Sequence, residues 1–202
     1  MVFDKTSVKR VQLIFQIVTH YLCKNRNSLW KCKQKSYLAL RIEALYHQDR
    51  MMKKLSQLMV TVFGIGYLPA APGTFGSLFG LGLGGGLLTF CPQISLWIAI
   101  FIVLALGVFF IPVYLKAHPG KKDPSEIVID EVLGQLVALI LCHTLFQMVC
   151  AFVFFRVFDI WKPWPVSWAD GLGGGLTKDT TGILLDDVLA GLLVLAGVWV
   201  LF

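Results

Sequence analysis

The chain has 202 residues, of which 56% are apolar and only 15% charged. A soluble domain holds about 45–50% apolar and about 25% charged residues, so this balance indicates a membrane protein and excludes a disordered or nucleic-acid-binding chain. The net charge of +6 does not reverse that reading, because residues 1–50 hold ten Lys/Arg against three acids while residues 51–202 hold eight against nine.

Residues 1–50 read as a basic N-terminal extension. Their first apolar stretch, Val11–Leu22, is broken by Gln12, Gln16 and His20 and has no small-residue cleavage site after it, so no secretory signal is expected. Met51-Met52-Lys-Lys resembles an ordinary start before an apolar segment. The extension is therefore expected to be either an upstream translation-start artefact or a poorly ordered segment near anionic lipid. The five cysteines form no CxxC pair and suit small buried thiols rather than a disulfide framework.

From Leu55 to Leu115 no residue is charged. This run contains a glycine-rich piece, Gly76–Phe90, then Ile94–Leu115, whose 22 residues suffice to cross a hydrocarbon core of roughly 30 Å. Two more uncharged runs follow, Val132–Phe155 and Val188–Phe202, and every acid after residue 50 falls in the segments between runs, Lys116–Glu131 and Arg156–Asp187. As one straight span, Val132–Phe155 would put these segments on opposite faces, with Arg156, Lys162 and Lys178 outside, against the positive-inside tendency. A bend at Cys142-His143-Thr144 makes it a hairpin and keeps both acidic segments on one cytoplasmic face. Its arms are short, so its turn must be shielded from lipid. The expected fold is all-α: an integral membrane domain over residues 51–202, with about three spans plus a bent helical hairpin.

The first polar segment contains Asp123-Pro-Ser-Glu126, whose spacing predicts a helix start with Asp123 as the cap. Asp130 and Glu131 follow, at the edge of an apolar run where carboxylates need a partner or a cation. In the second segment, Arg156, Asp159 and Lys162 recur at i, i+3, i+6, which places two cations around one acid on a single helical face until Pro163 ends it. That grouping suits a phosphate ester beside a metal-binding carboxylate. A salt-bridge cluster is the alternative, with Trp161, Trp164 and Trp168 as an interfacial belt. Asp186-Asp187 open the last apolar run, where they either complement a helix dipole or bind a divalent cation. All-oxygen ligands without His or Cys nearby favour Mg²⁺ over Zn²⁺. Before the first span, Thr74 and Ser77 in Ala71-Pro-Gly-Thr-Phe-Gly-Ser77 offer hydroxyls to an anion, unless Thr74 merely caps the helix.

Four collinear motifs carry a resemblance: Ala71-Pro-Gly-Thr-Phe-Gly-Ser-Leu78, Asp123-Pro-x-x-Ile-Val-Ile-Asp-Glu-Val-x-Gly134, Phe155-Arg-x-x-Asp-x-x-Lys-Pro-Trp-Pro165 and Gly182-Ile-x-x-Asp-Asp-x-x-Ala-Gly191. Together they resemble the phosphatidylglycerophosphatase A family over roughly residues 52–202. The resemblance implies an all-helical, Mg²⁺-dependent membrane phosphatase of the bacterial inner membrane, its site facing the cytoplasm. It implies hydrolysis of phosphatidylglycerophosphate to phosphatidylglycerol and inorganic phosphate. The family pattern maps onto Asp130, Glu131, Asp159, Lys162, Asp186 and Asp187, and also onto Asp123 and Arg156. On this reading Asp130, Asp159, Asp186 and Asp187 hold one or two Mg²⁺, Glu131 or another carboxylate is the general base, and Arg156, Lys162, Thr74 and Ser77 bind phosphate. The partners are then the lipid substrate and the bilayer, with no nucleic acid and no oligomeric state legible. Leu176–Thr181 departs from the family pattern by separating Gly175 from Gly182.

Other chemistries fit less well. No DxDxT and no Ser-Gly-His motif is present, and the Cys150-x5-Arg156 match lacks the Gly or Ser that would let backbone amides cradle phosphate. A small transporter would scatter its acids through the spans, whereas these gather beside Pro, Gly and Lys at span ends. Another lipid phosphomonoester, such as phosphatidic acid, is the alternative substrate.

Overall fold

The computed structural model describes residues 29–119, 124–171 and 176–201, and within them every regular element is helical. The chain divides into two compact units between Lys53 and Lys54. The described part of the first unit belongs to α1 (Leu29–Val60), which runs unbroken through Met51. It exposes Tyr37, Leu40, Leu45 and Met51 and carries an i, i+4 ion pair between Asp49 and Lys53 at 2.6 Å. The readings made of residues 1–28 lie outside the described residues.

The second unit begins in the last turns of α1 and continues through α2 (Pro72–Phe90), α3 (Ile94–Ala117), α4 (Ile129–Ala138), α5 (Leu145–Trp161), α6 (Val166–Asp170) and α7 (Leu176–Leu201). Three stretches are long and apolar enough to cross a membrane: Pro72–Phe90, Ile94–Ala117 and Thr180–Val200. The expected hairpin is formed by α4 and α5 around a turn at residues 139–144, where Thr144 and Gln147 make a reciprocal capping box.

Nine of the ten residues of α4 are buried, and α2, α3, α5 and α7 pack around it. Along α2, Gly73, Gly76, Gly80 and Gly84 meet successive turns of the α4 segment, from Glu131 to Leu139, so the two helices run parallel with close backbones. α7 is parallel to α4 as well. A Cβ on Gly134 would come within 2.5 Å of the Asp187 carbonyl oxygen and 2.6 Å of the Phe155 ring, so only glycine fits there. α3 and α5 run back the other way. Gln93 at the start of α3 donates from Nε2 to the Ile140 carbonyl at 2.8 Å, next to the hairpin turn, and Leu139, Ile140 and Cys142 of that turn are buried. The turn is thereby shielded only in part, because Leu141, His143 and Thr144 are exposed. The N-terminal ends of α2 and α4, the N-terminal half of α7 and the C-terminal ends of α3 and α5 therefore share one end of the bundle.

Three local expectations are corrected. The helix predicted to start at Asp123-Pro124 starts instead at Ile129, with Val128 in the cap position. Residues 124–128 are held by tertiary contacts: the Val128 amide donates to the Val60 carbonyl at 3.0 Å, and Gly66 lies directly on the Glu126 carbonyl. Asp123 itself lies outside the described residues. Thr74 does not cap α2, because Ala71 occupies the cap with Pro72 in the first turn. Asp186 and Asp187 do not open the last helix. The departure at Leu176–Thr181 is helical and forms the first turns of α7, so the pair sits about three turns in, beyond the reach of a helix-end dipole.

Candidate active site

Among the described residues, acids and cations from both polar segments converge at the shared end of the bundle on a cavity of about 620 Å³. Its walls include Pro72 and Gly73 of α2, Asp130 and Glu131 of α4, Arg156 and Asp159 of α5, Lys162, and Asp186 and Asp187 of α7. Residues far apart in the chain meet here because α2 and α4 present their starts, and α7 its N-terminal half, where the antiparallel α3 and α5 end.

The two adjacent-acid pairs are built alike. Asp130 Oδ1 accepts the Glu131 amide at 3.0 Å, and Asp186 Oδ1 accepts the Asp187 amide, also at 3.0 Å. The first acid of each pair is thus fixed by its own helix, and the second projects at a different angle. One carboxylate oxygen from each of Asp130, Glu131 and Asp187 falls within 4.8 Å of the others, close enough to ligate a single ion. Asp159 and Asp186, the other expected ligands, are instead ion-paired: Arg156 Nη1 donates to Asp159 Oδ2, and Lys162 Nζ donates to Asp186 Oδ2 at 3.0 Å. Lys162 caps α5 with a left-handed φ of 48°, which turns its side chain away from the helix face shared with Asp159 and towards α7. The two cations thus bind acids on different helices.

The electrostatics suit a divalent cation. Asp130 and Asp187 are 8% and 3% exposed, and Glu131 Oε2 is buried with no hydrogen-bond partner. Such an orphaned acceptor is rare in folded proteins. Burial pushes the Asp130 carboxyl well above the usual carboxylate range, and the neighbouring Glu131 charge adds to it. Burial also raises Glu131, partly offset by its hydrogen bond with Asp130 and by Arg156. All ligand candidates are hard oxygens, and none is His or Cys, which fits Mg²⁺.

Thr74 is absent from the cavity wall, and Ser77 is fully buried, so neither meets an anion in the way the sequence suggested. Ser77 Oγ donates to the Gly73 carbonyl at 2.9 Å and accepts from Arg156 Nη1 at 3.3 Å, so it holds the arginine. Gly73 is suggested by the sequence, with Thr74 and Ser77, as a backbone N–H donor to an anion, but its packing against the site is not legible there. A Cβ there would fall 2.2 Å from Glu131 Oε1 and 3.3 Å from Arg156 Nη1. Its motif, Pro-Gly-Thr-Phe-Gly-Ser, marked a turn but not what it packs against. The Cys150-to-Arg156 match lies inside α5, where the backbone amides are committed to the helix and cannot cradle phosphate. Gly173–Gly175 lie outside the described residues.

A family model described as Phosphatidylglycerophosphatase A matches residues 58–202. The Phosphatidylglycerophosphatase A of Escherichia coli (strain K12) is 36% identical over 155 residues, covering 73% of this chain and 86% of the relative. The Haemophilus influenzae protein of the same name is 34% identical over 154 residues, covering 71% and 89%. A Bacteroides thetaiotaomicron protein, provisionally named a phosphatidylinositol-3-phosphatase, is 33% identical over 144 residues, covering 68% and 87%. No solved structure matches the chain.

Proposed function

The chain belongs to the phosphatidylglycerophosphatase A family, and from that membership we propose that it hydrolyses the terminal phosphomonoester of phosphatidylglycerophosphate, giving phosphatidylglycerol and inorganic phosphate, with Mg²⁺ as cofactor. The observation that carries the reading is the charge balance of one cavity. Its described walls hold five acids (Asp130, Glu131, Asp159, Asp186, Asp187) and two cations (Arg156, Lys162). A phosphomonoester dianion is repelled by that excess of negative charge unless a further cation is present.

Asp130, Glu131 and Asp187 would hold the ion. When bound, Mg²⁺ supplies charge neutralisation on the phosphoryl oxygens and a water of lowered pKa. Lys162, on the cavity wall, offsets negative charge that builds on the phosphoryl group. Asp186 keeps that ammonium at a fixed position through the 3.0 Å ion pair. Arg156 acts from α5, where Asp159 and Ser77 fix its guanidinium. Asp159, a carboxylate on the cavity wall outside that ligand set, accepts the proton of the attacking water. We infer that the three helices long and apolar enough to span cross the bacterial inner membrane with the site towards the cytoplasm, a reading supported by the tendency of Lys and Arg to stay on that side.

The test is phosphate release from phosphatidylglycerophosphate in detergent, with Mg²⁺ or with excess EDTA, for wild type and Asp130→Asn. Turnover that requires Mg²⁺ and is lost in a folded Asp130→Asn protein is expected. Full turnover in EDTA overturns the metal. Mg²⁺-dependent turnover on phosphatidic acid or phosphatidylinositol 3-phosphate, with none on phosphatidylglycerophosphate, overturns the substrate.

A further inference from the structure

Beyond its two acids, every residue of α4 is apolar or glycine except Gln135. Gln135 is fully buried, and neither its amide nitrogen nor its amide oxygen has a hydrogen-bond partner. Among the described residues only two other buried side-chain atoms share that condition, Glu131 Oε2 and Arg156 Nε, and both residues line the cavity. Buried polar atoms are nearly always paired, so their concentration in one place needs a cause. The packing against α2 sets them in order. A Cβ on Gly80 would meet Gln135 Cβ and Cγ at 3.0 and 3.3 Å, and one on Gly76 would meet Glu131 Cβ at 3.6 Å. Gly73, a turn nearer the start of α2, lies against Glu131 Oε1 and Arg156 Nη1. Gln135 thus follows Glu131 by one turn on the same face of α4. Helical side chains lean towards the N-terminus, so the Gln135 amide extends towards the Glu131 carboxylate and the layer where Ser77 holds Arg156.

We propose that Gln135 is a positioning residue for Glu131: its amide holds the Glu131 carboxylate from beneath through a bridging water and leaves the other carboxylate oxygen for the ion. One water between the two groups satisfies an orphaned acceptor and an amide donor together. Arg156, on α5, brings a further unpartnered donor, Nε, to the same layer. A side chain that only filled the space between α2 and α4 would need no amide, and a turn deeper Leu136 and Leu139 fill that space against Gly84 with hydrocarbon alone. Glutamate has several freely rotating bonds, so a carboxylate held in advance loses less freedom when it takes up an ion. This role rests on the Mg²⁺ site of the proposed function.

Gln135→Met, similar in size and without the amide, tests it in the full chain in detergent. Thermal unfolding is followed while Mg²⁺ is titrated, which reads the affinity for the ion without catalysis. That affinity should fall roughly 10–100-fold, the range for losing a group behind a metal ligand. The melting temperature in EDTA should equal that of wild type or exceed it, because an unpaired buried amide is gone. Turnover of phosphatidylglycerophosphate should fall at limiting Mg²⁺ and return at saturating Mg²⁺, with KM for the lipid unchanged. Unchanged Mg²⁺ affinity, or a melting temperature lowered equally in EDTA and in Mg²⁺, overturns the inference and leaves Gln135 a packing residue. In a Glu131→Gln background the methionine should alter Mg²⁺ affinity less than about twofold, since Gln135 acts through Glu131; an undiminished effect there also overturns it. If Gln135→Met does not fold, Gln135→Asn, which withdraws the amide by one methylene, should weaken Mg²⁺ binding comparably, and wild-type affinity in that variant overturns the inference. A wild-type protein whose melting temperature ignores Mg²⁺ overturns the proposed cofactor and this role with it, whereas a wild-type response that the variant shares in full overturns the role of Gln135 alone.

Discussion

α3 and α4 are both rich in aliphatic residues and lie side by side, yet they meet opposite surroundings. α3 has 24 residues, and 22% of its most apolar window is buried in protein. α4 has ten residues, nine of them buried. A helix that faces lipid must satisfy its own backbone along its whole length and keep acids off its surface. A helix enclosed by four others can start late, stop early and carry two adjacent carboxylates, because protein rather than lipid meets its ends. The apolar run thus has two physical meanings, and Asp130 and Glu131, two of the five acids on the cavity wall, belong to the enclosed one.

The largest expected effect separates the two surroundings directly. Asp187→Asn, which removes one carboxylate from the cluster on α4 and α7, should lower turnover by more than about 100-fold, beyond the effect of a group one layer removed from a metal. Phe101→Leu, on the outer face of α3 where the side chain is 71% exposed, should leave turnover unchanged. Phosphate release at saturating Mg²⁺ measures both. A similar loss in the two variants would remove the distinction between the helices.

Backbone packing gives a second contrast. Gly134→Ala puts a methyl into the Asp187 carbonyl and the Phe155 ring, and it should destabilise the protein by about 1–3 kcal/mol. Because the Asp187 backbone must move, activity should fall as well. Gly86→Ala on α2 meets nothing within 4 Å and should be neutral or stabilise by up to about 1 kcal/mol. Thermal unfolding in detergent reads the difference.

What the sequence made legible follows the same division. The spans at Pro72–Phe90 and Ile94–Ala117 were readable because lipid-facing helices announce themselves by unbroken apolar composition. The hairpin was readable from charge placement, since every Lys and Arg had to share one face. The acids were singled out because ionised groups beside apolar runs need a reason. How they are shared was not legible: Lys162 engages Asp186 rather than flanking Asp159, and that depends on a left-handed C-cap that aims the side chain at another helix. Ser77 looked like a ligand because its hydroxyl sits in a Pro/Gly turn motif, and only the approach of α5 reveals that Arg156 takes it. The start of α4 was misplaced because tertiary contacts of Val128 and Glu126 outweighed a local capping signal.

The enclosed character of α4 also predicts a pH dependence. Burial raises both Asp130 and Glu131 above the range they have in the unfolded chain. Between the unfolded and folded values the folded protein binds more protons than the unfolded one, so stability falls as pH rises through that window and is fully present below it. Metal-free protein should accordingly melt at a higher temperature near pH 5 than near pH 8, with a flatter dependence in Asp130→Asn. Added Mg²⁺ should stabilise more at the higher pH, because its ligands must be deprotonated. A melting temperature that climbs with pH in EDTA would contradict the burial argument.

The smallest expected effect concerns Ser77, and it decides between a ligand and a brace. Its hydroxyl is fully buried and meets Arg156 at 3.3 Å, a long contact for an N–H donor. Arg156 keeps Asp159 when that contact is lost, so Ser77→Ala should destabilise the protein by only about 0.5–1.5 kcal/mol. Since the residue acts through Arg156, kcat should fall less than tenfold while KM for the lipid and inhibition by inorganic phosphate stay constant. A hydroxyl that bound phosphate would behave in the opposite way: its removal would raise KM and weaken phosphate inhibition together. Steady-state kinetics with phosphate as product inhibitor therefore distinguish the two roles at one atom, and an increase in both constants would return Ser77 to the substrate.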